Sequence, residues 1–148
     1  MKAVMISIRP EWCEKIAQGK KTFEIRKTSP KLQPSFKCYI YCTETGNPLV
    51  YGDVCNGHIM GEFVCDYILD IRPPYGGKTE GTCLEAKELY TYAGAKPLLY
   101  GWHITKLKIY DKPKELSEFR RLEKTKEWAK PQRLTRPPQS WCYVEELT

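Results

Sequence analysis

The sequence predicts an α+β domain: a sheet of about six strands that curls into a small barrel, with two or three short helices set among the strands. Three observations predict it. Strand-like segments recur six times along the 148 residues, the helical segments between them are short, and the length suits one core. A chain of this size buries roughly two-thirds of the surface its unfolded form exposes. A single domain over residues 1–148 is therefore expected, with no repeat, linker or low-complexity tract to divide it.

AVMISI (3–8) is a short apolar run and reads as a buried strand. Pro10 then opens a helix, because proline at the first helical position forfeits no needed N–H. Trp12, Cys13 and Ile16 supply its apolar stripe, and Gly19 closes it. GKKTFEIRK (19–27) follows as a strand of alternating character, and TSPKLQPS is a loop with two prolines. FKCYIYC (36–42) is aromatic and β-rich, hence a strand. TETGNPLVYGDVCNG is turn-rich and reads as a surface loop. HIMGEFVCDYILDI (58–71) is the longest strand signal, bent at Gly61. Thr82 and Glu85 form a T-x-x-E box ahead of the helical CLEAKELYTYAG, ended by Gly94. YGWHITKLKIY (100–110) alternates as a strand, and KPKELSEF and EKTKEWAK are charged segments with the length of short helices. PQRLTRPPQ is a basic loop, and SWCYVEE closes the chain as a strand.

The net charge of +6, from 24 Lys and Arg against 18 Asp and Glu, favours an anionic partner without specifying one. No run approaches the ~18 apolar residues that cross a bilayer, and MKAVMISIRPEW lacks the pattern of a secretory leader, so a cytoplasmic protein without a membrane partner is expected. Seven scattered cysteines fit reduced thiols packed as small hydrophobes. Cys38, Cys42, Cys55 and His58 imitate a zinc-ligand list. Strand geometry argues against it: four strand residues span ~13 Å, whereas zinc holds each thiolate at ~2.3 Å. No metal and no cofactor is expected.

The opening candidate for a site is GKKTFEIRK. Alternation places Thr22, Glu24 and Arg26 on one side of the strand and Phe23 and Ile25 on the other, with Lys21 at the turn from helix to strand. If Phe23 and Ile25 enter the core, the opposite face presents a hydroxyl, a carboxylate and a guanidinium in a row, with an ammonium at its mouth. Arg26 can grip a phosphate or brace Glu24; Glu24 can accept from an amine or a water; Lys21, if desolvated, can act as a base. The competing reading is an exposed strand face with an ordinary surface ion pair.

Tyr39, Tyr41, Trp102, His103, Trp141 and Tyr143 supply aromatic faces of the kind a stacked base requires, although core packing is the commoner fate of any one of them. Tyr39 and Tyr41 share a strand face and should be buried or exposed together. His103 lies on the opposite face from Trp102 and Ile104. Cysteine-based catalysis needs a histidine beside a thiol, which neither His58 nor His103 can be assigned from sequence.

Gly19, Lys21, Glu24 and Arg26 match G-x-K-x-x-E-x-R, the signature of the ASCH (activating signal cointegrator homology) family. SIRPEWCEKIAQGKKTFEIRK resembles the opening strand, helix and motif strand of its short bacterial and prophage members, and MGEFVCDYI, KPKELSEF and RPPQSWCYVE resemble their later segments. The resemblance implies a PUA-like barrel with a cleft that recognises RNA or a nucleoside, and some small members remove an acyl group from N4 of cytidine. Carried over by position, the family's motif lysine corresponds to Lys21 and its motif arginine to Arg26; with Glu24 able to activate water, Lys21 and Glu24 are the expected catalytic residues. Arg26, Thr22, Ser7, Arg9, Tyr41, Trp102, His103 and Glu62 become the expected substrate-binding set. The threonine proposed as nucleophile in the amidohydrolase branch falls where this chain has Glu24, and Thr22 occupies a different motif position. A second carboxylate is left open between Glu62 and Glu80.

Three functions follow. The first is an amidohydrolase of N4-acylated cytidine or a similar nucleoside amide, in which Glu24 activates water and Lys21 or Arg26 stabilises the oxyanion. The second is a non-catalytic RNA-binding module, favoured by the charge and by PQRLTRPPQ. The third is a ribonuclease, for which His103 and Lys21 are nominal candidates. A modified cytidine nucleoside or RNA is the expected partner, with the protein a monomer or weak dimer.

Overall fold

The computed structural model of the chain describes residues 1–44, 56–122 and 132–148. Its strands are β1 (Lys2–Ile8), β2 (Phe23–Arg26), β3 (Phe36–Cys42), β4 (Ile59–Ile71), β5 (Leu99–Lys114), β6 (Arg120–Arg121), β7 (Gln132–Arg133) and β8 (Trp141–Glu145). They form one eight-stranded sheet in the order β2-β5-β4-β3-β1-β8-β6-β7. β1 is central, parallel to β3 and antiparallel to β8, and buried on both faces beyond Lys2. Two-sided burial is why its sequence is a continuous apolar run rather than an alternation.

The six expected strands are present, and the α+β class holds. The closed barrel does not. Closure requires the two edge strands to pair. Here β2 has four residues and pairs with β5, while β7 has two and pairs with β6, so the sheet stays open and mixed. The two extra strands, β6 and β7, are too short to announce themselves in a hydrophobic pattern. Curvature comes instead from β4 and β5, whose pairing shifts register at three places. At one of them a Cβ on Gly61 would lie 2.4 Å from the Lys108 carbonyl oxygen, so that close approach requires glycine.

Helix α1 (Pro10–Ala17) turns Pro10, Cys13 and Ile16 inward. Past it Gly19 takes a positive φ of 78°, and the Lys20 and Lys21 amides donate to the Lys15 carbonyl at 3.0 and 3.1 Å. Helix α2 (Ala86–Ala93) starts later than the sequence suggests. Its N-cap is Glu85, boxed with Glu88, rather than Thr82 boxed with Glu85. The Thr82 hydroxyl accepts from the Leu84 amide at 3.0 Å and Cys83 has a φ of 60°, so the chain turns there before it can coil. KPKELSEF is also corrected: Lys112–Lys114 continue β5, and Leu116–Glu118 make one 3₁₀ turn. EKTKEWAK and most of TETGNPLVYGDVCNG lie outside the described residues.

Three apolar clusters fill the sheet's faces. One joins β1, β3, β4, α1 and Trp102; a second holds Met5, Tyr39, Tyr41, Phe119 and Val144; a third packs Ile25, Tyr75, Leu89 and Leu99 beneath α2. No helix among the described residues is long and apolar enough to cross a membrane.

Candidate functional site

An open cleft of about 940 Å³ lies between the ends of β1 and β2, α1, α2 and the segment before β8. Ile25 anchors β2 to the third apolar cluster, which turns Glu24 and Arg26 to the other side and into the cleft. That is the alternation read from FEIR. Glu24 is nonetheless buried, at 6% exposure, and so is Lys21, at 2%. A buried carboxylate and a buried ammonium on neighbouring positions are not an ordinary surface pair.

Arg26 is engaged by the protein at both terminal nitrogens. Its Nη2 donates to the Ser7 carbonyl at 2.7 Å and lies 3.2 Å from Glu24 Oε1, and its Nη1 donates to the Ser140 hydroxyl at 3.3 Å. Between the two chemistries available to it, gripping a ligand or bracing Glu24, the geometry selects the brace. Glu24 Oε2 is buried and has no hydrogen-bond partner among the described residues; Arg26 Nε and Trp102 Nε1 share that condition. Glu24 and Trp102 face each other across the β2–β5 ladder, so these atoms belong to one side of one strand pair.

The Lys21 ammonium is not at the mouth of the cleft but in its floor. It donates to the Thr82 carbonyl and lies 5.1 Å from the centre of the Trp12 ring. Burial pushes its pKa below the ordinary lysine value, opposed chiefly by the Glu24 carboxylate. A lysine has three donors, and the Thr82 carbonyl takes one. The remaining N–H groups are available to an oxygen in the cleft.

Of the residues expected from sequence, the structure brings Ser7, Arg9, Lys21, Glu24 and Arg26 together in the cleft. It does not bring the others. Thr22 is turned toward the loop before α2, where its amide donates to the Gly81 carbonyl at 2.7 Å and its hydroxyl would sit 2.3 Å from a Cβ on Gly81. Tyr41 is buried in the second apolar cluster with Tyr39. Trp102 is fully buried below the cleft floor. His103 faces away, paired in register with Phe23, its Nδ1 hydrogen-bonded to Asp66 Oδ1 at 2.7 Å and its ring stacked on Tyr67 at 4.6 Å. Glu62 pairs with Lys37 on another part of the sheet, and Glu80 is exposed outside the cleft. His103 does not activate the nearby Cys65, whose thiol burial pushes up to about 12. Among the described residues no group of three or more His, Cys, Asp or Glu is placed to hold a metal ion.

The cleft's further carboxylates are Glu85 and Glu88, which sequence reasoning missed, together with Tyr92. A signal existed. Leu89 and Ala93 mark the buried side of α2, and Glu85, Glu88 and Tyr92 fall at i, i+3 and i+7, a stripe of their own. Tyr92 carries the Lys27 ammonium 4.9 Å from its ring centre, and burial raises its pKa. Gln139 and Ser140 complete the wall, held by the Ser7 hydroxyl, which donates to the Pro138 carbonyl at 2.6 Å.

The family model described as the ASCH domain matches residues 6–138. Crystal structures of ZmASCH from Zymomonas mobilis share the fold. A tyrosine-to-phenylalanine variant aligns with a TM-score of 0.70 at 20% identity, covering 99% of this chain and 92% of its own. A serine-to-alanine variant gives 0.70 at 20% identity over 97% and 89%, and the ASCH protein from the same organism gives 0.61 at 20% over 97% and 88%. No curated protein matches the sequence.

Proposed function

The chain belongs to the ASCH domain family, and from that premise we propose that its cleft binds a cytidine-like base and hydrolyses an acyl group from N4. The observation that carries the proposal is the Glu24 oxygen that has no partner among the described residues, buried in the same cleft as the Lys21 ammonium. A structure rarely leaves a carboxylate oxygen dry and unpaired, because the desolvation cost goes uncompensated unless a ligand or water completes the site.

The chemistry then needs only residues already in place. Glu24 takes a proton from water, and the water oxygen attacks the acyl carbonyl carbon. The C–O bond forms as the carbonyl becomes an oxyanion, which the Lys21 ammonium stabilises with an N–H that Thr82 does not use. The C–N4 bond breaks, the amine leaves with the proton held by Glu24, and cytidine and a carboxylic acid result. Arg26 is a positioning residue that fixes the Glu24 rotamer. Tyr92 offers a ring to a planar base. No threonine nucleophile is required, which suits a chain with glutamate at that position and with Thr22 turned away.

The second reading is a non-catalytic RNA-binding cleft, favoured by the net charge of +6. Ribonuclease action is less well supported, since His103 lies outside the cleft. A cytoplasmic setting belongs to the same proposal, and Cys13, Cys38, Cys65 and Cys142 are buried as reduced thiols. The test is incubation with N4-acetylcytidine, followed by absorbance with product identity checked as cytidine, beside Lys21→Ala and Glu24→Gln. Turnover by wild type and its loss in both variants is expected. No turnover, with acetyl or larger acyl groups, leaves the binding module.

A further inference from the structure

β6, β7 and the segment leading into β8 wall a second groove of about 690 Å³. Arg121, Arg133 and Arg136 line it, all exposed, and among the described residues no carboxylate does. Among the described residues, the ion pairs within 4.0 Å involve Arg26, Lys37, His58, His103 and Lys114, and none of these three arginines. Three guanidinium groups that line one concavity, with no counter-charge among the described residues, repel one another until an anion joins them. Trp141 contributes an aromatic wall, its ring fixed by an indole N–H that donates to the Thr28 hydroxyl at 2.9 Å.

The groove is continuous with the cleft. Gln139 and Ser140 line both. The junction is held firmly: the Ser7 amide donates to the Ser140 carbonyl at 2.9 Å, and Arg26 reaches the Ser140 hydroxyl from the cleft side. A ligand seated on Glu24 therefore has a basic, partly aromatic path leading away from it past Gln139 and Ser140.

We propose that this groove binds the phosphodiester backbone of a single RNA strand whose modified cytidine occupies the cleft, so that the substrate is a residue within a strand rather than a free nucleoside. The inference rests on the cytidine reading of the cleft. Arg121, Arg133 and Arg136 meet phosphate oxygens, as guanidinium groups suit, and Trp141 stacks a neighbouring base. Three phosphate contacts predict a log–log salt slope of about −2 on a single strand.

The experiment compares N4-acetylcytidine, its monophosphates and a short oligoribonucleotide with one N4-acetylcytidine, as substrates and, for the oligonucleotide, by fluorescence anisotropy across a salt series. Wild type is set beside the triple variant Arg121→Gln, Arg133→Gln, Arg136→Gln and the corresponding triple lysine variant. The expected result is a preference for the strand over the nucleoside of about tenfold or more at low salt. That preference and its salt slope should collapse in the glutamine variant and return in part with lysine. Equal handling of strand and nucleoside by wild type, or a gain supplied in full by a single monophosphate, overturns the proposal. Nucleoside turnover without a strand preference sinks the groove alone. Arginine-dependent strand binding with no hydrolysis of any form sinks the hydrolase reading and leaves the groove standing.

Discussion

Two strand glutamates in this protein sit beside a basic residue, and their surroundings differ in one decisive respect. Glu62 has both oxygens engaged: Oε1 accepts from the Tyr110 hydroxyl at 2.7 Å, and Oε2 lies 3.0 Å from the Lys37 ammonium, which also reaches Glu146 at 3.5 Å. Glu24 has one oxygen on Arg26 and the other buried with no partner among the described residues. A completed network holds strands together; an incomplete one, facing a cleft, has capacity left for a ligand. The difference is not visible in the residue types, since each is a glutamate on a strand with a cation nearby.

Substitution at the two positions should separate them, and the largest effect is expected at Glu24. Glu24→Gln keeps the shape and removes the base, so turnover of an N4-acylcytidine should fall by ~10²–10⁴-fold, whereas Glu62→Gln should leave the rate unchanged. Steady-state rates on the purified variants check this. Lys21→Met comes next. Loss of the cation that meets the oxyanion should lower kcat by ~10²-fold with a smaller change in KM. Because burial lowers the Lys21 pKa and the charged form is the active one, wild-type activity should decline on the alkaline side before the ordinary lysine value of about 10.4. A pH–rate profile flat through that range would contradict a cationic role.

Arg26→Lys is a smaller perturbation. It keeps the charge but loses the fork that touches Ser7, Ser140 and Glu24 together, so kcat should drop by roughly tenfold, with the pH profile displaced as Glu24 loses its brace. Arg26→Gln should be worse. Equal activity of the lysine and glutamine variants would reduce Arg26 to a purely steric part.

The smallest effect belongs to the completed network. Burial pushes the Glu62 carboxyl up, but hydrogen bonds from Tyr110 and Lys37 and the charges of Lys37 and Lys108 outweigh it and hold the pKa below the ordinary value. The stabilisation is therefore present above the unfolded pKa of about 4.3 and is lost as pH falls through the lowered folded one. Thermal unfolding of wild type against Glu62→Gln should show a gap of under about 1 kcal/mol at neutral pH that narrows in acid. A gap that widens in acid would invert the assignment.

Much of this was legible in the sequence, for reasons that also explain what was not. FEIR alternates because Ile25 is tied to a core, and that alone places Glu24 and Arg26 in the cleft. The long strands announce themselves through β-branched and aromatic residues. Thr22 misled because it precedes the strand's first residue and is bonded to Gly81, so alternation does not yet govern it. Trp102 and Tyr41 are aromatic residues on strands whose faces turn inward, and a local pattern cannot distinguish a stacking platform from a core. The walls supplied by α2 and by Gln139 and Ser140 lie some sixty or more positions from the motif, at distances that only the tertiary fold closes. The open sheet was missed for a related reason: closure depends on which edges meet, a property of topology rather than of any strand's sequence.

The most direct test of the central claim is the release of cytidine from N4-acetylcytidine by wild type, Glu24→Gln and Glu62→Gln, assayed side by side at neutral pH with each variant's folding checked by its thermal transition. The account predicts turnover by wild type and Glu62→Gln and none above background by Glu24→Gln. Comparable turnover by Glu24→Gln, or no cytidine from any of the three, would contradict it.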